Sequence, residues 1–335
     1  IMIKFYISLG RAKKLFFGVL LACIPYLNLF AQTDAQFSQY MYINPFYNPG
    51  ATAIDENTNI ALLSRYQWLG NRPTAGVSGS DLSGSPVTQL VMASTKIRQI
   101  NSGVGAYFMH ETLGPLRNMN AIINYSYHVK IADGKLGIGA GLGIYNRDII
   151  GRLNPNDPND PVYLYYIGAP NQYDIDVNLG AFYQHPKFFA GISTRHLNTP
   201  ILNDSTKESR ISQHFYATGG YNFTLNELFT LTPIALVKSV SNNFRATSVD
   251  VSALVKYNNE QFWGGLSYRS SDALVAIIGV GLTKNNSLKF GYAFDLTVLG
   301  NAAKAGTSHE IMLTYSKPVA EILPKPIIRT PRYRF

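Results

Sequence analysis

The chain has 335 residues, with 29 Lys and Arg against 20 Asp and Glu, for a formal net charge of +9. Only 15% of residues are charged, where a soluble domain carries about 25%, and 22 Tyr, 18 Phe and 28 Gly stand out. Four of the basic residues lie in the first 31, and the tail after Tyr315 holds Lys317, Lys325, Arg329, Arg332 and Arg334 against Glu321. The body between is near neutral and offers no basic face, which excludes nucleic acid as a partner class.

Residues 1–31 read as a signal peptide. Lys4, Arg11, Lys13 and Lys14 precede an apolar run from Leu15 to Ala31 that is broken by Pro25 and Asn28. A basic region, a short apolar region and a small residue at the cut define an export leader, and the run is too short and too broken for a good membrane span. The sole cysteine, Cys23, sits in "LLAC", but the apolar run continues past it, which disfavours a lipoprotein cleavage box. Cleavage at Ala31 leaves an exported chain without disulfides.

Residues 32–58 form an irregular segment, "AQFSQYMYINPFYNPGATA" at its heart, aromatic and uncharged, without helical or strand period. Asn-Pro pairs fix turns and keep such a chain out of a sheet. Two roles fit it: a plug that stabilises a wide lumen, or a docking face for a periplasmic partner.

From residue 59 to 317 strands dominate. In "AIINYSYHVK", Ala121, Ile123, Tyr125, Tyr127 and Val129 alternate with a largely polar set. "YDIDVNLGAFY" and "LKFGYAFDLTV" repeat the pattern, with Tyr173, Val177, Tyr183, Phe290 and Tyr292 on the apolar side. In "LGIGAGLGI", Gly137, Gly139, Gly141 and Gly143 occupy one whole face. Glycine weakens a strand unless something approaches it closely, so this face leaves room for another segment. Fourteen strands are predicted, near 59–68, 86–97, 102–111, 117–130, 135–146, 172–184, 186–195, 211–224, 227–238, 245–257, 260–270, 272–284, 287–298 and 308–317. Connections after even strands are tight ("RQIN", "IADG", "HP"), and several after odd strands are long (69–85, 147–171, 196–210, 299–307). This sorting is the signature of an outer-membrane barrel: an all-β transmembrane antiparallel β-barrel facing the lipid bilayer. An even count returns both termini to the short-turn, periplasmic end. There the opening segment and the Pro-rich tail 318–335 would share a side, and Arg329, Arg332 and Arg334 would meet acidic or anionic partners.

Chemistry is sparse. The histidines at 110, 128, 185, 196, 214 and 309 are scattered, with no HExxH or CxxC spacing. His110–Glu111 and His309–Glu310 are adjacent pairs, which on a strand point to opposite faces. His128 and Asp174 share the lumen side, the nearest approach to a triad, yet a polar lumen predicts such residues without catalysis. "NPNDPNDPVY" (154–163) reads as a rigid loop of turns; Asp157 and Asp160 fall short of a calcium loop, which needs more acids and a placed glycine. No catalytic residue, cofactor or metal site is assigned, and the chain reads as no enzyme.

The opening stretch closely resembles the start of mature proteins in the PorP/SprF family of type IX secretion system membrane proteins. Gln36, Phe37, Ser38, Gln39, Tyr40, Asn44, Pro45, Asn48 and Pro49 match its pattern, and Tyr47 supplies the aromatic between the two Asn-Pro pairs. "SRYQW" (64–68), "SGVGAYFMHETLG" (102–114), "SHEIMLTY" (308–315) and "TPRYRF" (330–335) follow in the order that family shows. The departures are Gly50 to Ala53, where the family is expected to carry an aromatic, and a longer loop at 69–85. The resemblance implies a multi-pass outer-membrane barrel that works with other secretion-system components. Its members assist the export or surface retention of secreted cargo such as large adhesins, with gliding motility in some. The alternatives are a porin-like or FadL-like transport barrel for small solutes, and an outer-membrane hydrolase.

Overall fold

The computed structural model describes residues 34–69, 85–114, 116–149, 159, 172–201, 210–241, 243–270, 272–298 and 306–320. The leader 1–31 with Cys23, most of the 154–163 patch and the tail arginines 329, 332 and 334 lie outside them. The strands are β1 (Asn57–Tyr66), β2 (Val87–Ile97), β3 (Ser102–Leu113), β4 (Leu116–Ile131), β5 (Gly134–Ile149), β6 (Gln172–Gln184), β7 (Phe188–Arg195), β8 (His214–Tyr221), β9 (Phe223–Thr224), β10 (Phe229–Val240), β11 (Asn243–Tyr257), β12 (Phe262–Arg269), β13 (Ala273–Gly281), β14 (Leu288–Thr297) and β15 (Thr307–Pro318).

Every strand pairs antiparallel with its neighbours, and two pairings close the ring: β1 with β15, and β10 with β11. β8 and the two-residue β9 both pair with β10, so they are one strand interrupted at Asn222. The barrel therefore has fourteen strands, as the alternation predicts. Most ends agree within about two residues. The segment predicted at 227–238 begins at Phe229 because Asn226 Oδ1 accepts from the amides of Leu228 and Phe229, which closes the turn there.

The outer wall is apolar. Ile123 and Leu266 are each 70% exposed, and Ile192 67%, part of the outward apolar band that a membrane barrel turns to lipid. The expected lipid-facing aromatics stand outward: Tyr125, Tyr127, Tyr173 and Phe290 are exposed, and Tyr183 and Tyr292 are half-buried on the same face. At the short-turn end the outward rings gather in pairs, Tyr183–Phe188 at 5.7 Å, Tyr221–Phe223 at 4.5 Å and Phe229–Tyr257 at 5.1 Å between centroids. Amphipathic rings collected at one level of a barrel form the interfacial girdle.

The inner wall is not the polar lining that alternation alone suggests. Leu63, Leu90, Met92, Ile234, Leu236, Leu254, Ile277 and Met312 point inward and are buried, because residues 35–54 pass through the lumen and give them apolar partners.

Candidate functional site

The segment ahead of β1 threads the barrel from one end to the other. Asp34 lies beside Arg195, the last residue of β7, at the long-loop end. Thr52 lies against Gly103 and His128, near the short turns. The chain reaches the short-turn rim at Glu56, which pairs with Lys135 at 2.9 Å. This corrects the expectation that the opening stretch lies wholly on the periplasmic side. The strand count fixes where β1 begins, but the chain before it runs back up the lumen.

Three groups of contacts seat it. The first is charged. Glu310 accepts the backbone amides of Ser38 (2.7 Å) and Gln39 (2.8 Å). Ser38 Oγ donates to Asp295 at 2.8 Å and accepts from Arg65 at 2.7 Å and Arg269 at 3.1 Å. Arg65 pairs with Asp295 (2.7 Å) and Glu310 (3.2 Å), Arg269 with Asp295 (3.3 Å) and Asp250 (3.4 Å), and Lys238 with Asp250 (2.9 Å). These three cations and three carboxylates are at most 4% exposed. Burying charge is unfavourable unless it is paired and hydrogen-bonded, and Ser38, the Gln39 amide and the Phe37 carbonyl tie this lattice to the plug.

The second group is aromatic. Phe46 packs edge-on against Phe37 (5.2 Å) and Tyr47 (5.0 Å), and the Arg195 guanidinium lies 4.2 Å from the centre of its ring. Tyr40 shares a hydrogen bond of 3.0 Å with Ser252. Ser193 donates to the Tyr47 carbonyl and Asn124 to that of Pro45.

The third group is the glycine wall. Pro49 and Gly50 lie directly on Gly139 and Gly137, where a Cβ would come within 2.4 Å of the Pro49 carbonyl carbon and 2.1 Å of Gly50 O. Asn48 caps the turn by accepting from the Gly50 amide (2.9 Å) while its Nδ2 donates to the carbonyls of Ala181 and Ile192. Ser126 donates to Gly50 O, and Lys96 holds His128 so that its Nε2–H donates to Thr52 O. Gly141 and Gly143 meet wall atoms instead, Asn124 Oδ1 and Ala121 O.

The motif residues are thus lumen residues. Phe37, Ser38, Gln39, Tyr40, Tyr47, Asn48 and Pro49 are buried; Gln36, Asn44 and Pro45 are half-buried. Asn44 and Pro45, with Met41 and Tyr42, line a cavity of about 230 Å³ that reaches Lys289, Tyr315 and Phe182 near the short turns. At the same end, in the turn between β11 and β12, Glu260 pairs with Lys256 (2.5 Å) and Lys289. Burial alone would raise its pKa, but the two ammonium groups prevail and draw it down to about 2.

His128 and Asp174 do not meet: His128 lies toward the short turns, while Asp174 is near the start of β6 and accepts from the amides of Ile175 and Ile201. Glu111 and Glu310 point inward, as their opposition to His110 and His309 requires. The sequence reading missed one grouping. Asp34, His196 and His214 each bring a ligating atom within 4.8 Å of the other two. His196 and His214 are eighteen positions apart across a long connection, so no spacing motif announces them.

A family model described as type IX secretion system membrane protein PorP/SprF matches residues 29–315. The chain belongs to the PorP/SprF family. Its barrel is a multi-strand outer-membrane barrel, and among curated proteins no match was found. Similar solved structures include the Acinetobacter baumannii outer membrane protein Omp33, at 8% identity and TM-score 0.43 over 78% of this chain and 98% of that one. A Pseudomonas aeruginosa FadL homologue matches at 12% identity and TM-score 0.44 over 82% and 93%. The P. putida toluene transporter TodX matches at 11% and 0.47 over the same shares.

Proposed function

We propose that this PorP/SprF barrel serves the type IX machine as a closed outer-membrane partner that assists export or surface anchoring of secreted proteins such as large adhesins. The observation that carries the reading is the occupied lumen: Ser38, Pro45, Gly50 and Thr52 each bond to the inner wall, so the segment between them crosses the path a porin would leave to water. Partners then meet the protein at its ends. The outer connections present the cargo side. The periplasmic end presents the mouth around Met41 and Tyr42, with the tail arginines Arg329, Arg332 and Arg334 for acidic components of the machine.

The test is affinity purification from native membranes with mass spectrometry, alongside secretion assays. Substituting Arg329, Arg332 and Arg334 together by Gln is expected to leave barrel levels normal and to reduce display of the cargo. Normal display and an unchanged set of co-purifying proteins would move the partner site to the outer loops. A transport barrel for small solutes is the second reading. Steady single-channel conductance, or uptake of small apolar solutes into liposomes carrying the purified protein, would favour it over the first.

A further inference from the structure

We propose that residues 322–326, just past the last strand, turn back as a strap over the cavity at the periplasmic mouth and seat Ile322 and Leu323 in it. β15 delivers the chain to that place. Its residues Thr314 and Ser316 line the cavity, and its end, Pro318, pairs with Asn57 at the start of β1. Beyond the strand the Val319 amide donates to the Glu56 carbonyl at 3.3 Å, and Arg98 Nη2 donates to the Val319 carbonyl at 2.8 Å. The chain thus leaves β15 alongside the exit of the plug, and the same register sets Ala320 against Asp55, which lines the cavity. Ile322 and Leu323 come next but one in the sequence, within about 10–14 Å of Val319 even in a fully extended chain.

The cavity fits those residues in size, polarity and charge. At about 230 Å³ it lies below the range of about 300–1,000 Å³ that small-molecule sites occupy, which suits a few side chains of a peptide rather than a whole ligand. Ile54, Ala61 and Met92 give it apolar walls. The Tyr42 hydroxyl in its lining is buried without a hydrogen-bond partner among the described residues. A buried hydroxyl left so is unfavourable, and a carbonyl of the strap supplies the acceptor. Asp55 accepts only from amide groups of Asn57 and Asn59. No cation among the described residues pairs with it, and Lys325 brings one.

Pro324 and Pro326 suit the strap to this place. Each lacks an amide donor, so the stretch is a poor continuation of the β15 ladder. Each also confines the residue before it, Leu323 or Lys325, to extended backbone, so little conformational freedom remains to be lost on seating. Arg329, Arg332 and Arg334 follow the strap in the sequence and stay outside the mouth. The inference goes beyond the secretion role proposed above. A partner that takes the surface around Met41 and Tyr42 must first displace Ile322 and Leu323, so the mouth is a gated site.

The test reads access to the cavity in the full-length barrel, purified in detergent in a Cys23→Ser background. Thr314→Cys puts a thiol at a half-buried position of the cavity wall, and a membrane-impermeant maleimide is the probe. With the native tail that thiol should react slowly. Ile322→Ser together with Leu323→Ser should speed the reaction by about tenfold, the equivalent of about 1.4 kcal/mol. Lys187→Cys, exposed in the turn between β6 and β7 at the same end, should react at one rate with either tail. Replacing Arg329, Arg332 and Arg334 by Gln should leave the Thr314→Cys thiol slow, which separates this inference from the partner role of the arginines. Leu323→Cys added to Thr314→Cys should cross-link within one chain through a short bis-maleimide. Heat-modifiable migration on gels verifies that each variant is folded. Equal, fast labelling of Thr314→Cys with the native and the serine-substituted tails overturns the inference. Equal, slow labelling overturns it as well and assigns the protection to plug and wall alone. Protection present in native membranes and lost on purification also overturns it, and gives the cavity to another protein.

Discussion

Replacing Gly137 by valine tests how the plug is held. A Cβ at that position would stand 2.1 Å from Gly50 O and 3.0 Å from Ser126 Oγ, where ordinary contact begins near 3.4 Å. The strand cannot yield without breaking its ladders to β4 and β6, so the turn at Pro49–Ala51 must retreat by more than about 1 Å. That retreat takes Gly50 O from Ser126 (3.0 Å) and Asn48 Nδ2 from the carbonyls of Ala181 (2.9 Å) and Ile192 (3.1 Å). Three buried hydrogen bonds at about 1 kcal/mol each set the loss, and the better strand propensity of valine returns up to about 1 kcal/mol. The expected net destabilisation is about 2–3 kcal/mol, short of what releases the Phe37–Tyr47 core. Detachment is therefore local. Hydrogen exchange in detergent should quicken at the amides of Ala51 and Thr52, which bond back to Asn48 and Pro49. Ser38 and Gln39, held on Glu310, should keep their protection. Gly219→Ala, whose nearest neighbour is 3.5 Å away, is the neutral control. Wild-type exchange at Ala51 and Thr52, with an unchanged unfolding midpoint, would show that the close glycine approach does not position the plug.

Ile123→Arg places a guanidinium on the lipid face at a residue 70% exposed and should lower barrel stability by about 2–4 kcal/mol if the position is near mid-bilayer; unfolding in denaturant reads it. Glu260 links stability to pH. Its folded pKa of about 2 lies below its ordinary value of 4.5, so its pairs with Lys256 and Lys289 stabilise the fold fully above about pH 4.5 and lose their effect as pH falls toward 2. Glu260→Gln should flatten stability over that acid window and leave the neutral-to-basic limb unchanged, as followed by unfolding midpoints between pH 2 and 6.

The barrel was legible because alternation is a local signal: Ile123 and Tyr125 against Asn124 and Ser126 declare two faces within a few residues, and loop lengths then sort the ends. The glycine face of β5 was legible for the same reason, since a strand that sacrifices side chains at Gly137 and Gly139 announces a close neighbour, and Pro49 and Gly50 are that neighbour. The path of the plug was not legible. Its direction depends on Ser38 meeting Glu310 and Asp295, contacts made across nearly the whole chain. The inward Leu63, Leu90 and Leu236 were ambiguous too, because an apolar residue on a lumen face makes sense only once its partner in the plug is known. The grouping of Asp34, His196 and His214 exists only in the folded barrel, with neither period nor spacing to mark it.

The contacts of Ser38 also bear on how the protein is made. Its amide is held by a residue 272 positions away, on the strand that seals the ring against β1. The earliest part of the fold therefore cannot find its final place until the last strand has arrived. Contacts of such separation form slowly, since the entropy of closing the intervening chain must be met before they reward it. The amides of Ser38 and Gln39 can reach Glu310 only once β15 is in place. A barrel that reached the membrane without its first segment would leave Arg65 and Arg269 facing an open lumen, and so remain distinguishable from a finished molecule.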